Sequence, residues 1–328
     1  MFPWKKNNFL NRIAKYRKSN IKSVFSFPFS NSDKDLRMAK VFFKLVFVSI
    51  IILVSVSSCK QDDLKPGIPA FVQVDTMTFN TVYVDQGTSM QKISDVWVYA
   101  DDESIGAFEM PSSVSILKSG NGKLRLEAGI KLNGISSTRL PNPFFEPIII
   151  EDFNYVPDSV SFANFGTTYW ETVVFVWKED FEGNNISIDT TSKSNATMVF
   201  TEPGSPETFE GDHSGKIVLN SEMDYYEGAS YQAFDLPTDG SPVFLEMHYK
   251  CNNILVVGIF AQNASQIIQD PVIYINPRDN WNKIYINLTS KLQSYDNALD
   301  FKIFFGAIYD SPDEEAVILI DNIKLMYR

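Results

Sequence analysis

Two kinds of side chain in this sequence could do chemistry: rings set beside amides and carboxylates, and a cysteine that ends an apolar run. Tyr225, Tyr226 and Tyr231 cluster around Glu227 and Gln232. Further on, Glu246, His248, Gln262 and Tyr274 alternate with apolar residues, and Arg278 follows. Sugar rings present C–H faces that pack on aromatic rings, while polar side chains fix their hydroxyls. An apolar surface with a few convergent polar groups is what a small-ligand cleft needs. The ligand-contact candidates are therefore Tyr226, Tyr231, His248, Gln262, Tyr274 and Arg278. The competing reading is packing, because aromatics make up 14% of the chain and Tyr clusters arise easily in a core.

Catalysis is not suggested. The two histidines are His213, in a Gly-rich turn, and His248, on a strand face. There is no Gly-x-Ser-x-Gly elbow and no His-Glu-x-x-His pair. Carboxylates are plentiful, so composition alone leaves a glycosidase pair open. The short strands that carry these residues suit a binding domain better, and the chain is expected to be a non-enzyme.

Almost no helical period follows residue 68. Runs rich in Val, Ile, Tyr, Phe and Thr recur between Gly, Pro, Asn and Asp. Lys123-Leu-Arg-Leu-Glu127 alternates with Leu124 and Leu126 inward. Pro242–Lys250 places Val243, Leu245, Met247 and Tyr249 on one face, with Phe244, Glu246, His248 and Lys250 on the other. Lys283–Thr289 repeats the pattern. Many short strands with turn residues between them predict an all-β fold of sandwiches.

The cysteine ends a segment with the pattern of an export signal, or of an uncleaved membrane anchor. Leu45–Val56 is apolar, Lys40 and Lys44 precede it, and Ser57, Ser58 and Cys59 end it. A charged start, an apolar stretch and small residues define a secretory signal. The uninterrupted apolar part, about 12 residues, falls short of the roughly 18 that span a bilayer. The Val-Ser-Ser-Cys box resembles a bacterial lipoprotein signal, with Val56 and Ser58 departing from its commonest form. In that family the thiol is alkylated by a diacylglyceryl group, the chain is cut before the Cys, and acyl chains such as palmitate anchor it. The resemblance implies Cys59 as the lipidation site, and two or more chains give stable anchoring. Lys60-Gln-Asp-Asp63 resembles the acidic tag of Bacteroidota surface lipoproteins, which implies the outer membrane and its exposed face. Met38 opens a signal of ordinary length and is a second candidate start. The expected organisation is signal peptide 1–58, lipidated Cys and tether 59–68, then two domains, 69–176 and 177–328.

Of 29 Lys and Arg residues, 11 precede position 59; of 40 Asp and Glu, only 2 do. Residues 59–328 therefore carry 18 basic and 38 acidic side chains. This balance argues against nucleic acid as a partner, which needs a basic footprint, and leaves room for calcium. With Cys59 lipidated, Cys251 is the one remaining thiol, and its apolar setting reads as packing.

Two further resemblances concern the domains. The strand Asp95–Ala100, the turn Asp101-Asp-Glu103, the Ile-Gly strand Ser104–Met110 and the Gly-Asn-Gly turn before 123–127 resemble PEGA-like and Ig-like surface modules, which build stalks and spacers. Lys178-Glu-Asp-Phe-Glu-Gly183, Gly211-Asp-His-Ser-Gly215, Trp281–Leu288 and Ile318–Leu325 resemble the galactose-binding-like jelly rolls of carbohydrate-binding modules. That likeness implies a glycan as ligand. It also implies a structural calcium held by Glu182, Asp212, Ser214 and Asp321, with Asp180 a weaker candidate. Calcium takes six to eight oxygens from carboxylates and carbonyls. The other expectation is an accessory subunit of an outer-membrane complex, bound through protein surfaces.

Overall fold

The computed structural model describes residues 67–162, 165–311 and 315–328, together with the helical residues Phe42, Lys44 and Val46. Cys59, its signal and most of its tether lie outside the described residues. The chain is all-β. The first half carries β1 (Ala70–Val74), β2 (Met77–Phe79), β3 (Asp95–Ala100), β4 (Glu103–Glu109) and β5 (Ser112–Ile116). It continues with β6 (Gly120–Lys131), β7 (Arg139–Pro141), β8 (Ile148–Tyr155), β9 (Val160–Phe162) and β10 (Phe165–Thr167). The second half carries β11 (Val174–Glu179), β12 (Ile188–Thr190), β13 (Met198–Phe200), β14 (Gly215–Leu219), β15 (Tyr225–Ser230) and β16 (Val243–Cys251). After these come β17 (Leu255–Gln262), β18 (Ile267–Ile275), β19 (Arg278–Asn287), β20 (Asp300–Ile308) and β21 (Ala316–Tyr327). Among the described residues no helix is long and apolar enough to cross a membrane.

In the first half, β4, β3 and β6 run in that order, and both β7 and β8 pair with the free edge of β6. A smaller sheet, β5-β1-β9, faces them. The hairpin of β3 and β4 turns on Asp101 and Asp102, both at positive φ. Asp and Asn tolerate that region better than most residues because their short side chains bond locally. Val72, Val96, Val98, Leu124, Leu126 and Tyr155 fill the core.

The second half is a jelly roll of two antiparallel sheets. One has the order β13-β14-β21-β16-β19, with β11 also on β21; the other is β12-β15-β20-β17-β18. Alternation sends Leu245, Met247, Val257, Ile259, Ile303 and Phe305 into the shared core. Gly67–Arg328 forms one compact unit. The outer face of β16 does not meet water, because Phe244, Tyr285 and Met326 join the core of the first half. Strand β11 crosses the expected boundary: Trp177 packs in the second core and Phe175 against the first.

Candidate functional site

The outer face of the β12-β15-β20-β17-β18 sheet holds a cleft. Strands β17 and β20 bury Leu255, Val257, Ile259, Ala261 and Phe301, Ile303, Phe305, Ala307 on one side. Period-two alternation turns Phe260, Gln262, Asp300, Lys302 and Phe304 the other way. Register sets Gln269, Phe260 and Lys302 in one row across the strands, and Ile267, Gln262 and Asp300 in the next. Phe304 lies over Gly258, where a Cβ would come within 2.3 Å of its ring. Phe260 tilts against Phe304 at 5.0 Å between centroids. The result is a cleft of about 560 Å³ with Phe260, Ala229 and Ile267 as apolar surface and Asp189, Thr191, Lys193, Glu227, Gln269, Asp300 and Lys302 around it.

Glu227, buried, organises one side. Thr191 Oγ1 donates to Oε1 at 2.8 Å; Gln269 Nε2 and Tyr225 OH donate to Oε2 at 2.7 and 2.9 Å. The Lys193 ammonium stands 3.4 Å from Oε1 and donates to Gln269 Oε1 at 3.1 Å. Burial alone would raise the Glu227 carboxyl. The hydrogen bonds from Thr191, Gln269 and Tyr225, with the Lys193 charge, outweigh it and hold the group below the usual carboxylate range. Burial and the Glu227 hydrogen bond push the Tyr225 hydroxyl up to about 12, so it stays a neutral donor. The Gln269 amide is fixed at both ends, and the cleft wall is set before any ligand arrives.

The six ligand candidates do not share one site. Gln262 lines the cleft. Tyr231 is exposed and touches its rim only through the backbone, its carbonyl accepting from Lys302 Nζ at 3.0 Å. Tyr226 points inward and is 0% exposed, because β15 turns Tyr225 and Glu227 outward on either side of it. Its hydroxyl has no partner. Tyr274 and Arg278 line a separate hollow of about 240 Å³. His248 is on the other sheet and is 4% exposed, stacked on Phe209 at 4.1 Å. The alternation expected for 242–250 is present, but β16 and β18 belong to opposite sheets, so His248 and Tyr274 cannot face one groove.

The calcium candidates gather at one loop. The Glu182 carboxylate accepts from the backbone N–H of Asp212 at 2.9 Å and of His213 at 3.0 Å. Ser214 Oγ donates to Asp321 Oδ2 at 2.6 Å, and the Glu210 N–H reaches the same oxygen at 3.4 Å. The Asp212 side chain is exposed. Strand β11 ends at Glu179, and Phe181 takes a positive φ of 59°, so alternation does not carry Asp180 and Glu182 to one face. Asp180 instead accepts from the Tyr83 hydroxyl at 3.0 Å. Among the described residues no three His, Cys, Asp or Glu side chains are grouped as metal ligands.

Gln269, Phe260, Lys193 and Lys302 were not among the sequence candidates, and Glu227 was read only as the centre of the Tyr225–Tyr231 cluster. Alternation over 255–262 and 300–308 marks Phe260 and Lys302 as outward. Which outward face stays open is decided by the packing of the first half, for which the sequence carries no local signal.

No protein-family model matches the chain. No curated protein matches it either. Among solved structures, the chain is similar to the C-terminal family 22 carbohydrate-binding module of Xyn10B from Clostridium thermocellum, at 11% identity and TM-score 0.35, covering 47% of this chain and 92% of that one. A family 11 carbohydrate-binding module of the same organism, in complex with a β-1,3-1,4-mixed-linked tetrasaccharide, matches at 14% identity and TM-score 0.32, covering 47% and 94%. The K3 adhesin domain of Lys-gingipain from Porphyromonas gingivalis matches at 15% identity and TM-score 0.31, covering 47% and 98%.

Proposed function

We propose that this is an exported binding protein, anchored by a lipid on Cys59 at the outer membrane, whose jelly roll holds carbohydrate in the cleft over β15, β17, β18 and β20. The observation that carries the proposal is the cleft itself. An apolar surface of Phe260, Ala229 and Ile267 lies beside carboxylates, amides and a lysine, which matches the C–H faces and hydroxyls of a sugar. The role is binding rather than hydrolysis. Glu227 has its oxygens engaged by Thr191, Gln269, Tyr225 and Lys193, and a carboxyl held ionised is a poor general acid. A calcium ion at the Glu182–Asp321 loop would have a structural role, neutralising the buried Asp321 carboxylate.

The other reading, an accessory subunit bound through protein surfaces, is favoured by one feature. Ile68, Leu117 and Phe162 on the first half are exposed by 61%, 76% and 75%. A glycan-array screen of the purified chain tests the first reading. Binding that is lost in Phe260→Ala and kept in Tyr226→Phe supports it. Binding that survives Phe260→Ala, or none at all with a folded chain, overturns it.

A further inference from the structure

A second pocket lies where the two halves meet, away from the sheet that forms the cleft. It is an open hollow of about 460 Å³ between the segment 77–92 of the first half and β16, β19 and the 209 loop of the second. Its wall on the second half is a group of rings. Phe209 stacks on His248 at 4.1 Å and 23°, and the Trp281 ring stands 5.2 Å from Phe209. Such a wall accepts the flat side of a ligand.

The polar atoms of the pocket are under-used. His248 Nδ1 and Trp281 Nε1 are buried and have no hydrogen-bond partner. His248 is 4% exposed and its ring lines the cavity. Buried polar groups are nearly always satisfied, and leaving one without a partner is costly. Of the two, the Trp281 Nε1–H is a donor on the cavity wall that an acceptor on a ligand would complete.

The charges behind the pocket lean one way. Lys283 and Lys324 are both buried, and Glu246 is the buried carboxylate they share. Lys283 Nζ is 2.9 Å from Glu246 Oε2, and Tyr169 OH donates to that same oxygen at 3.1 Å. Lys324 Nζ donates to the Thr88 carbonyl at 2.7 Å and to Tyr169 OH at 3.3 Å. Lys92, on the first-half wall, donates to Asn282 Oδ1 and has no carboxylate among its hydrogen-bond partners. Two lysines, Lys283 and Lys92, line the pocket, and among the described residues the one carboxylate bonded to either of them is Glu246, on Lys283. In a partly desolvated site an unmatched positive charge favours an anionic occupant.

We propose that this seam pocket binds a small ligand with one carboxylate and a flat apolar body. The carboxylate supplies the missing negative charge to Lys283 and Lys92 and accepts from Trp281 Nε1–H, while the flat body lies on Phe209. The site is independent of the carbohydrate cleft. Because its walls come from both halves, occupation also ties the halves together.

Benzoate is the probe, with benzyl alcohol as its uncharged counterpart. The indole N–H signals of the five tryptophans are followed by NMR during titration of the whole chain. The expected result is a saturable shift of one indole signal, the one that Trp281→Phe deletes. Benzyl alcohol should bind at least about tenfold more weakly, and Lys92→Gln should weaken benzoate several-fold. Phe260→Ala, in the other cleft, should leave the titration unchanged. No saturable shift of the Trp281 signal, equal binding of the alcohol, or an effect confined to the Phe260→Ala protein would overturn the proposal.

Discussion

Replacing Asp321 by Asn should make the fold more tolerant of alkaline pH. Asp321 is 0% exposed. Burial pushes its carboxyl from 3.8 up to about 7, in spite of hydrogen bonds from Ser214 Oγ–H and the Asn322 N–H. A carboxyl raised in the folded state stabilises fully below its unfolded value, and that contribution is lost as pH rises through the folded value. The window is therefore about pH 4 to 7. A gap of roughly three units corresponds to about 4 kcal/mol, at 1.36 kcal/mol per unit. His248 works in the opposite sense over an overlapping range. Burial, with Lys283 and Lys324, lowers it from 6.5 to about 2, so its contribution is present above 6.5 and lost on acidification. The informative quantity is thus the difference between wild type and Asp321→Asn, in which His248 cancels. Chemical denaturation from pH 4 to 8 should show the variant gaining about 4 kcal/mol on wild type across the range. Calcium at pH 8 should stabilise wild type and leave the variant unmoved. A difference that stays flat with pH would refute the reasoning from burial, and calcium acting equally on both proteins would remove Asp321 from the ion's site.

Three further outcomes are expected. Tyr226→Phe removes a buried hydroxyl without a partner and should raise stability by up to about 1 kcal/mol in urea denaturation, with glycan binding intact; a loss would show that the hydroxyl is satisfied. Gly258→Ala would put a Cβ 2.3 Å from the Phe304 ring and 2.6 Å from the Asp270 carbonyl, costing about 1–3 kcal/mol in the same assay. Glu246→Leu leaves Lys283 buried without its partner and should cost about 3–5 kcal/mol, read as a lowered midpoint in urea denaturation.

The all-β class and the inward faces of single strands were legible in the sequence. Pro242–Lys250 alternates as expected, and the hairpin around Asp101 and Asp102 is in place. Sheet membership was not legible. His248 and Tyr274 both read as outward-facing residues of strands, yet one lies under the first half and the other stands 64% exposed on the opposite sheet. Local pattern gives a side chain's parity but not the partner layer, which is fixed by contacts far apart in the chain. Glu246 shows the same limit. Its type and strand position suggest a ligand-facing carboxylate, whereas it is fully buried, accepting from Tyr169 OH and paired with Lys283. The loop carrying Asp212 and Ser214 was legible because its motif is contiguous, and Glu182 and Asp321 do meet it.

The most direct test of the central claim is a hydrogen-exchange footprint of the chain with a bound oligosaccharide taken from the array. The account predicts added protection in β15, β17, β18 and β20, around Glu227, Phe260, Gln269 and Lys302, with β16 and β19 unchanged. Protection confined to the first half, or to the hollow of Tyr274 and Arg278, would contradict it.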